Sequence, residues 1–224
     1  PESFWDFAFF GGSLIAAFSQ GMILGAILQG IAIDGRAYAG GWLDWLQPYT
    51  LLTGLGVTVG YALLGSTFLA MKLTGKPEAH AYRLAVRAGL ATLVLMIAVS
   101  LATPFLLGRY WSRWFDWPQI LFTSQVPLLT AITFYALYRS LKKKRRYLPF
   151  VLSLCLFLLG MVGLGISMWP YVVPESVTIW DAAAPERSQA FMLVGTAFIM
   201  PIILIYTGWA YWVFRGKVGT EGYH

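Results

Sequence analysis

The chain has 224 residues, of which 58% are hydrophobic and 12% charged, with a mean hydropathy of +0.65. A soluble domain carries about 25% charge, so a soluble enzyme, a disordered tail and a small secreted scaffold are all excluded. Sixteen Lys and Arg against ten Asp and Glu give +6, an excess that in so apolar a chain marks cytoplasmic loops rather than nucleic-acid binding.

A membrane-spanning helix needs about 20 mostly apolar residues, and six uncharged windows exceed that length. They are Phe7 to Ile33, Trp45 to Met71, Ala88 to Gly108, Trp117 to Tyr138, Tyr147 to Pro174, and Ser188 to Phe214. The apolar runs are continuous and show no strand alternation, so the expected fold is all-α, a polytopic membrane bundle of six transmembrane helices. Residues 1–224 read as a single integral membrane domain. The first residue is Pro1 and no signal-peptide pattern follows it, so the sequence is expected to be an N-terminally truncated fragment.

The loops set an orientation. Twelve of the sixteen basic residues fall between spans two and three (Lys72, Lys76, Arg83, Arg87), between four and five (Arg139, Lys142, Lys143, Lys144, Arg145, Arg146) and after six (Arg215, Lys217). The other side holds Arg36, Arg109, Arg113 and Arg187. Both ends of the chain are therefore expected in the cytoplasm. Trp42, Trp45, Tyr110, Trp111, Trp114, Trp117, Trp169, Tyr171 and Trp180 read as an aromatic belt on the other side.

Little in the spans suggests chemistry. Membrane haem is held through histidines inside helices, but His80 falls in a basic loop and His224 is the last residue. The methionines Met22, Met96, Met161, Met192 and Met200 read as core filler. No Asp, Glu, Lys or Arg lies deep in a span, so a proton relay or sodium site within the six helices is not expected. The single cysteine, Cys155, excludes a disulfide framework. Catalytic, cofactor-binding and metal-binding residues are each expected to be none. The candidates for a polar path or subunit contact are Ser19, Gln20 and Gln29 on span one, with Trp180 and Asp181 shaping the outer loop. Ser124 and Gln125 open span four. Ala17, Gly21 and Gly25, and Gly56 and Gly60, read as small packing faces, and Pro104, Pro127 and Pro201 are expected to bend spans three, four and six.

Several stretches resemble subunit II of the cytochrome bd-type quinol oxidases. They are Trp5-Asp6 through Gly11-Gly12-Ser13, then Ser19-Gln20-Gly21, Gly25 and Leu28-Gln29-Gly30. The outer loop is similar as well, in Trp169-Pro170-Tyr171-Val172-Val173-Pro174, Ser176-Val177-Thr178 and Trp180-Asp181-Ala182-Ala183. So is the last span and tail, with Pro201-Ile202-Ile203-Leu204, Tyr206-Thr207, Tyr211 through Val218 and Gly222-Tyr223-His224. Gly35-Arg36-Ala37-Tyr38-Ala39-Gly40-Gly41-Trp42 with Trp45, and Leu51-Leu52-Thr53-Gly54-Leu55, resemble the cyanide-insensitive branch.

The resemblance implies the C-terminal two-thirds of a subunit with about eight helices when intact, and two helices fewer should leave the bundle unstable alone. It implies a bacterial inner-membrane complex that oxidises quinol and reduces dioxygen to water. It further implies a subunit I that holds haem b and haem d, with this chain as its non-haem scaffold beside membrane lipid and a small accessory subunit. The family's acidic residues for proton delivery match no position here. A small secondary transporter is the alternative, suggested by bent helices and midplane polar residues and opposed by the missing intramembrane charges.

Overall fold

The computed structural model describes residues 2–35 and 37–217. Pro1, Arg36 and the tail from Val218 to His224 lie outside the described residues, as do the side chains of Glu2 and Ser3. The order of elements is α1 (Glu2–Gln29), β1 (Ile33–Asp34), β2 (Ala37–Tyr38), α2 (Pro48–Lys72), α3 (Gly75–Ala102), α4 (Gly108–Phe115), α5 (Ile120–Thr123), α6 (Gln125–Lys142), α7 (Leu148–Met168), β3 (Tyr171–Val173), β4 (Val177–Thr178) and α8 (Glu186–Val213). Among the described residues six helical stretches are long and apolar enough to cross a membrane, α5 and α6 together forming the fourth. The expected all-α membrane bundle is thus the observed one, with two short antiparallel hairpins added outside the spans.

Helix α2 is the centre. It packs against α1 on one side and against α3 and α7 on the other, and α6 closes a four-helix group with α2, α3 and α7. Leu63 and Ala70 of α2 meet Ala81, Tyr82, Ala85 and Ala88 of α3, Phe134, Leu137 and Leu141 of α6, and Leu156 of α7 in one buried core. The alanine face of α3 is what lets α2 and α3 approach along their length. By contrast no residue of α8 is buried.

The α1–α2 contact is closer still. A Cβ built on Gly21 would stand 2.5 Å from the Thr53 carbonyl oxygen and 2.7 Å from the Gly54 Cα. One on Gly25 would overlap the Thr53 hydroxyl and lie 2.9 Å from the Thr50 Cα. From the other side, Gly54 receives Phe18 and Met22 of α1. Ala17 is buried in the same row. The four-residue spacing expected of a packing face is therefore real on α1. On α2 the pair divides: Gly60 lies under Phe157 of α7, whereas a Cβ on Gly56 would meet nothing within 4 Å.

The bundle hides hydroxyls without building a polar path from them. Thr53, Ser66, Thr67, Thr92, Ser140 and Ser153 are buried, and each bonds a carbonyl three or four residues back in its own helix at 2.8–3.2 Å. In an apolar solvent this satisfies the hydroxyl locally, and the residue then serves as a small packing unit.

Two expectations need correction. Lys76, Arg83, Arg87 and His80 are not in a loop but in the first turns of α3, and Arg139 and Lys142 end α6. The helices run on past the apolar core because Lys and Arg are good helix formers whose long stems reach water. The turn from α2 to α3 is only Leu73 and Thr74, and Gly75 closes it at a φ of +70° that other residues adopt reluctantly. Prolines 104 and 127 mark helix ends rather than bends. Pro104 sits in a 3-10 turn (Thr103–Phe105) that ends α3, and Pro127 occupies the first turn of α6 after a break at Ser124, where a missing N–H costs nothing. Pro201 does lie inside its helix.

The three basic segments meet at one end of the bundle. The Lys72 ammonium donates to the Phe214 carbonyl and, at 3.4 Å, to that of Gly216. Arg146 reaches the Arg215 carbonyl at 3.2 Å, and Lys217 pairs with Glu78 at 2.7 Å. The Tyr82 hydroxyl donates to the Arg145 carbonyl at 3.1 Å. These contacts tie the end of α8 to the helix ends it would otherwise miss.

Replacing Gly25 by Leu should lower the thermal unfolding midpoint in detergent, at a cost of about 1–3 kcal/mol or more for overpacking against backbone. Gly56→Ala should leave it unchanged within about 0.5 kcal/mol or raise it slightly. Equal effects at the two glycines would contradict this packing.

Candidate functional site

Gln20 is the one midplane candidate that bonds across helices. Its Oε1 accepts from the Tyr61 hydroxyl of α2 at 2.9 Å, and Tyr61 in turn stacks on Phe157 of α7, with ring centroids 5.6 Å apart. Gln20 is exposed on the bundle surface, as is Ser19, whose hydroxyl makes no side-chain hydrogen bond among the described residues. Gln29 ends α1 and is half-buried, without such a bond either. Ser124 and Gln125 reach only the Leu121 carbonyl of their own segment, at 3.5 and 3.2 Å. Thus Ser19, Gln20 and Gln29 do not converge on one site.

Trp180 and Asp181 lie together elsewhere, on the hairpin that follows α7. The Asp181 carboxylate accepts from the Thr178 hydroxyl at 2.6 Å and from the Thr178 backbone N–H at 3.1 Å. Those bonds, the hydroxyl first, hold its pKa below the ordinary 3.8. The Trp180 ring stands edge-on to Trp169, centroids 5.8 Å apart. Trp169 is the fixed point of this end. Its carbonyl accepts from Arg109 at 3.0 Å and from Arg113 at 2.8 Å, and Arg113 also donates through Nε to the Ile166 carbonyl at 3.2 Å. The four C-terminal carbonyls of a helix lack partners in the helix itself, and two guanidiniums from α4 meet that need at the end of α7. Trp114 adds an indole N–H to the Ser167 hydroxyl at 2.9 Å.

Beneath lies a buried phenol cluster that periodicity did not single out. Tyr110, expected in the aromatic belt, is instead fully buried, and it donates to the Leu28 carbonyl of α1 at 2.7 Å. Tyr49, also buried, and Thr103 share a hydrogen bond of 2.9 Å. Leu28, Tyr49 and Tyr110 form one packed cluster joining α1, α2 and α4. Burial pushes the Tyr110 phenol up to about 12, against a smaller opposing pull from Arg109, so it remains a donor throughout the physiological range. The available signal was Tyr110 at the interior position of an amphipathic helix, with Arg109 and Arg113 beside it at helical spacing.

The α1–α2 loop is a third local unit. The Tyr38 hydroxyl donates to the Gly41 carbonyl at 2.9 Å and lies 3.2 Å from the Asp44 carboxylate, which also accepts the Gly41 N–H at 2.6 Å. The aromatic and glycine motif there thus closes a turn on itself; Arg36 within it lies outside the described residues.

A haem needs an axial nitrogen or sulfur donor on an apolar cleft. His80 is exposed in α3 at the basic end, and Met22 is packed against Gly54 in the α1–α2 contact. Among the described residues no three His, Cys, Asp or Glu side chains gather as a metal site.

The family model described as cytochrome bd terminal oxidase subunit II matches residues 1–214. The chain belongs to that family. It is 26% identical to cytochrome bd-I ubiquinol oxidase subunit 2 of Escherichia coli K12, across 98% of this chain and 67% of that protein. It is 24% identical to a probable cytochrome oxidase subunit 2 of Haemophilus influenzae, with the same coverage, and 23% identical to cytochrome bd ubiquinol oxidase subunit 2 of Bacillus subtilis. The chain spans 64% of the latter and about two thirds of the former two. The family makes this multi-pass membrane chain a subunit of a terminal oxidase, an oxidoreductase complex with haem and a subunit I. The transporter alternative is displaced.

Two predictions follow from these bonds. Tyr110→Phe strands a buried carbonyl and should cost about 1–3 kcal/mol, read as a lower thermal midpoint; an unchanged midpoint would contradict the role. For Asp181 the folded pKa is the lower one, so its contribution is present above the ordinary carboxylate value and is lost as pH falls through the depressed one. Limited proteolysis between residues 171 and 185 should accelerate on that acid descent in the native protein, and Asp181→Asn should remove the pH dependence.

Proposed function

We propose that this chain is the non-haem subunit of a quinol-oxidising terminal oxidase. It lies in a bacterial plasma membrane with the basic end cytoplasmic. Subunit I holds haem b and haem d and the quinol site, and reduces dioxygen to water. This chain carries no catalytic residue and binds no haem, metal or nucleic acid. Residues 1–224 act as one membrane domain that scaffolds subunit I, with membrane lipid and a small accessory subunit as further neighbours.

The family match across residues 1–214 carries the reading. Its physical support is the absence of ionisable side chains deep in the spans, since proton relays and ion sites need them, together with hydroxyls that bond within their own helices. Helix α8, apolar and unburied, supplies surface for a neighbour in the membrane. The gathering of Lys72, Arg146 and Lys217 at one end supports a common cytoplasmic side. The segment from Gly35 to Trp42 is similar to the cyanide-insensitive branch.

Within this role Gln20 is the candidate for a positioning contact, through Tyr61. Ser19 and Gln29 offer polar groups to subunit I or to water, and Trp180 with Asp181 shapes the outer hairpin.

The test is a tagged preparation of the complete gene product in mild detergent, examined by reduced-minus-oxidised optical spectrum and denaturing gel. Haem bands with a larger co-purifying chain are expected. A colourless, folded preparation without a partner would overturn the reading. In the active complex Gln20→Leu should lower oxygen uptake; a normal rate with normal assembly would end any role for Gln20.

A further inference from the structure

We propose that the groove between α4, α5 and the end of α7 is a binding site for one phospholipid, with its phosphodiester held by Arg109 and Arg113. Two hollows adjoin there. The larger, about 430 Å³, is lined by Phe122, Val162, Gly165, Ile166 and Trp169, with Arg113, Gln119 and Thr123 at its rim. The smaller, about 220 Å³, is polar and is lined by Arg109, Ser112, Arg113, Asp116 and Gln119. Arg113 and Gln119 belong to both. An apolar slot opening beside a cationic hollow has the amphiphilic form of a lipid and its headgroup.

The depth suits such a ligand. Helix α4 lies between the ends of two spans, among Trp111, Trp114 and Trp117, which mark the level of the headgroups. Phe122 and Trp169 are exposed, so the slot opens sideways toward acyl chains. The donors are available too. Both guanidiniums are turned and held by the Trp169 carbonyl, and Arg109 is further stacked on Tyr171, 4.3 Å from its centroid. Arg113 lines both hollows, and its Nη1 makes no hydrogen bond among the described residues. A guanidinium nitrogen is a charged donor that needs an acceptor, and a phosphate oxygen matches its geometry.

Charge selects the headgroup. Arg109 and Arg113 against Asp116 leave one net positive charge on the lining. A phosphodiester with an uncharged alcohol beyond it, as in phosphatidylglycerol, neutralises that charge. Ser112 and Gln119 then offer hydrogen bonds to the alcohol.

The test purifies the protein through this chain, with whatever accompanies it, and strips loosely held lipid. Phosphatidylglycerol, diacylglycerol of the same chains and inorganic phosphate are then offered separately, and retention per copy of the chain is counted by native mass spectrometry. The wild type should retain one phosphatidylglycerol, at least about tenfold more tightly than diacylglycerol, since a charge-assisted bond is worth that factor or more. Arg109→Gln with Arg113→Gln should erase the preference. Because those arginines also cap α7, a second variant separates binding from folding. A Cβ on Gly165 would meet nothing within 4 Å, so Gly165→Leu fills the slot with the fold intact, and it should abolish retention at an unchanged thermal midpoint. Three results would each overturn the proposal: wild-type retention in Gly165→Leu, equal retention of diacylglycerol, or retention of phosphate alone. So would the absence of any retained lipid because a co-purifying chain covers the groove.

Discussion

The place of α1, and of every contact it makes, hangs on how closely α1 and α2 approach. Within a bilayer there is no hydrophobic drive to bring two helices together, because lipid tails are as apolar as leucine. Backbone proximity has to supply the attraction through dispersion and weak contacts. Gly21 and Gly25 supply it against Thr50, Thr53 and Gly54. With that contact made, Phe18 and Met22 fill the space over Gly54, and Gln20 comes within reach of Tyr61. The end of α1 is then fixed where the Leu28 carbonyl can accept from Tyr110. A side chain at either glycine would push α1 outward and break each of these links.

The two ends of the bundle are organised differently. At the basic end, charged side chains reach backbone carbonyls and one carboxylate, holding together helix termini that share little apolar contact. At the aromatic end, Arg109, Arg113, Tyr110 and Trp114 bond directly to the termini of α1 and α7. The spans between carry almost no polar function. That division suits the proposed work of holding geometry within a redox complex.

The fold was largely legible because its determinants are local. Hydropathy alone marks six windows, since a span must be apolar over its whole length. The glycine spacing on α1 marks a close face, because period and small size are both readable in order. What was hidden depends on which side of a residue faces protein. Tyr110 and Trp111 are neighbours with similar composition, yet one is buried and the other exposed. Gly56 and Gly60 share a spacing, yet only Gly60 has a partner above it. Prolines 104 and 127 fall at helix ends, a placement that no hydropathy window resolves. Of the candidate polar residues, Gln20 and Asp181 have defined side-chain partners, Gln20 on the next helix and Asp181 within its own hairpin. The arginine pair of α4 was counted only as charge, because its bonds run to a carbonyl more than fifty residues away.

The closest single test of this account is a cross-link between α1 and α2. Gln20 of α1 and Tyr61 of α2 already carry side chains that meet at 2.9 Å, so cysteines at these two positions leave the glycine contact untouched. With Cys155→Ser, they can be bridged by a short bis-methanethiosulfonate reagent in native membranes of cells producing the complete oxidase. After cleavage at a protease site placed in the 31–47 loop, the two fragments should stay joined on a non-reducing gel and part on reduction. Fragments that separate without reductant, while the protein remains folded, would show that α1 and α2 do not meet along this face.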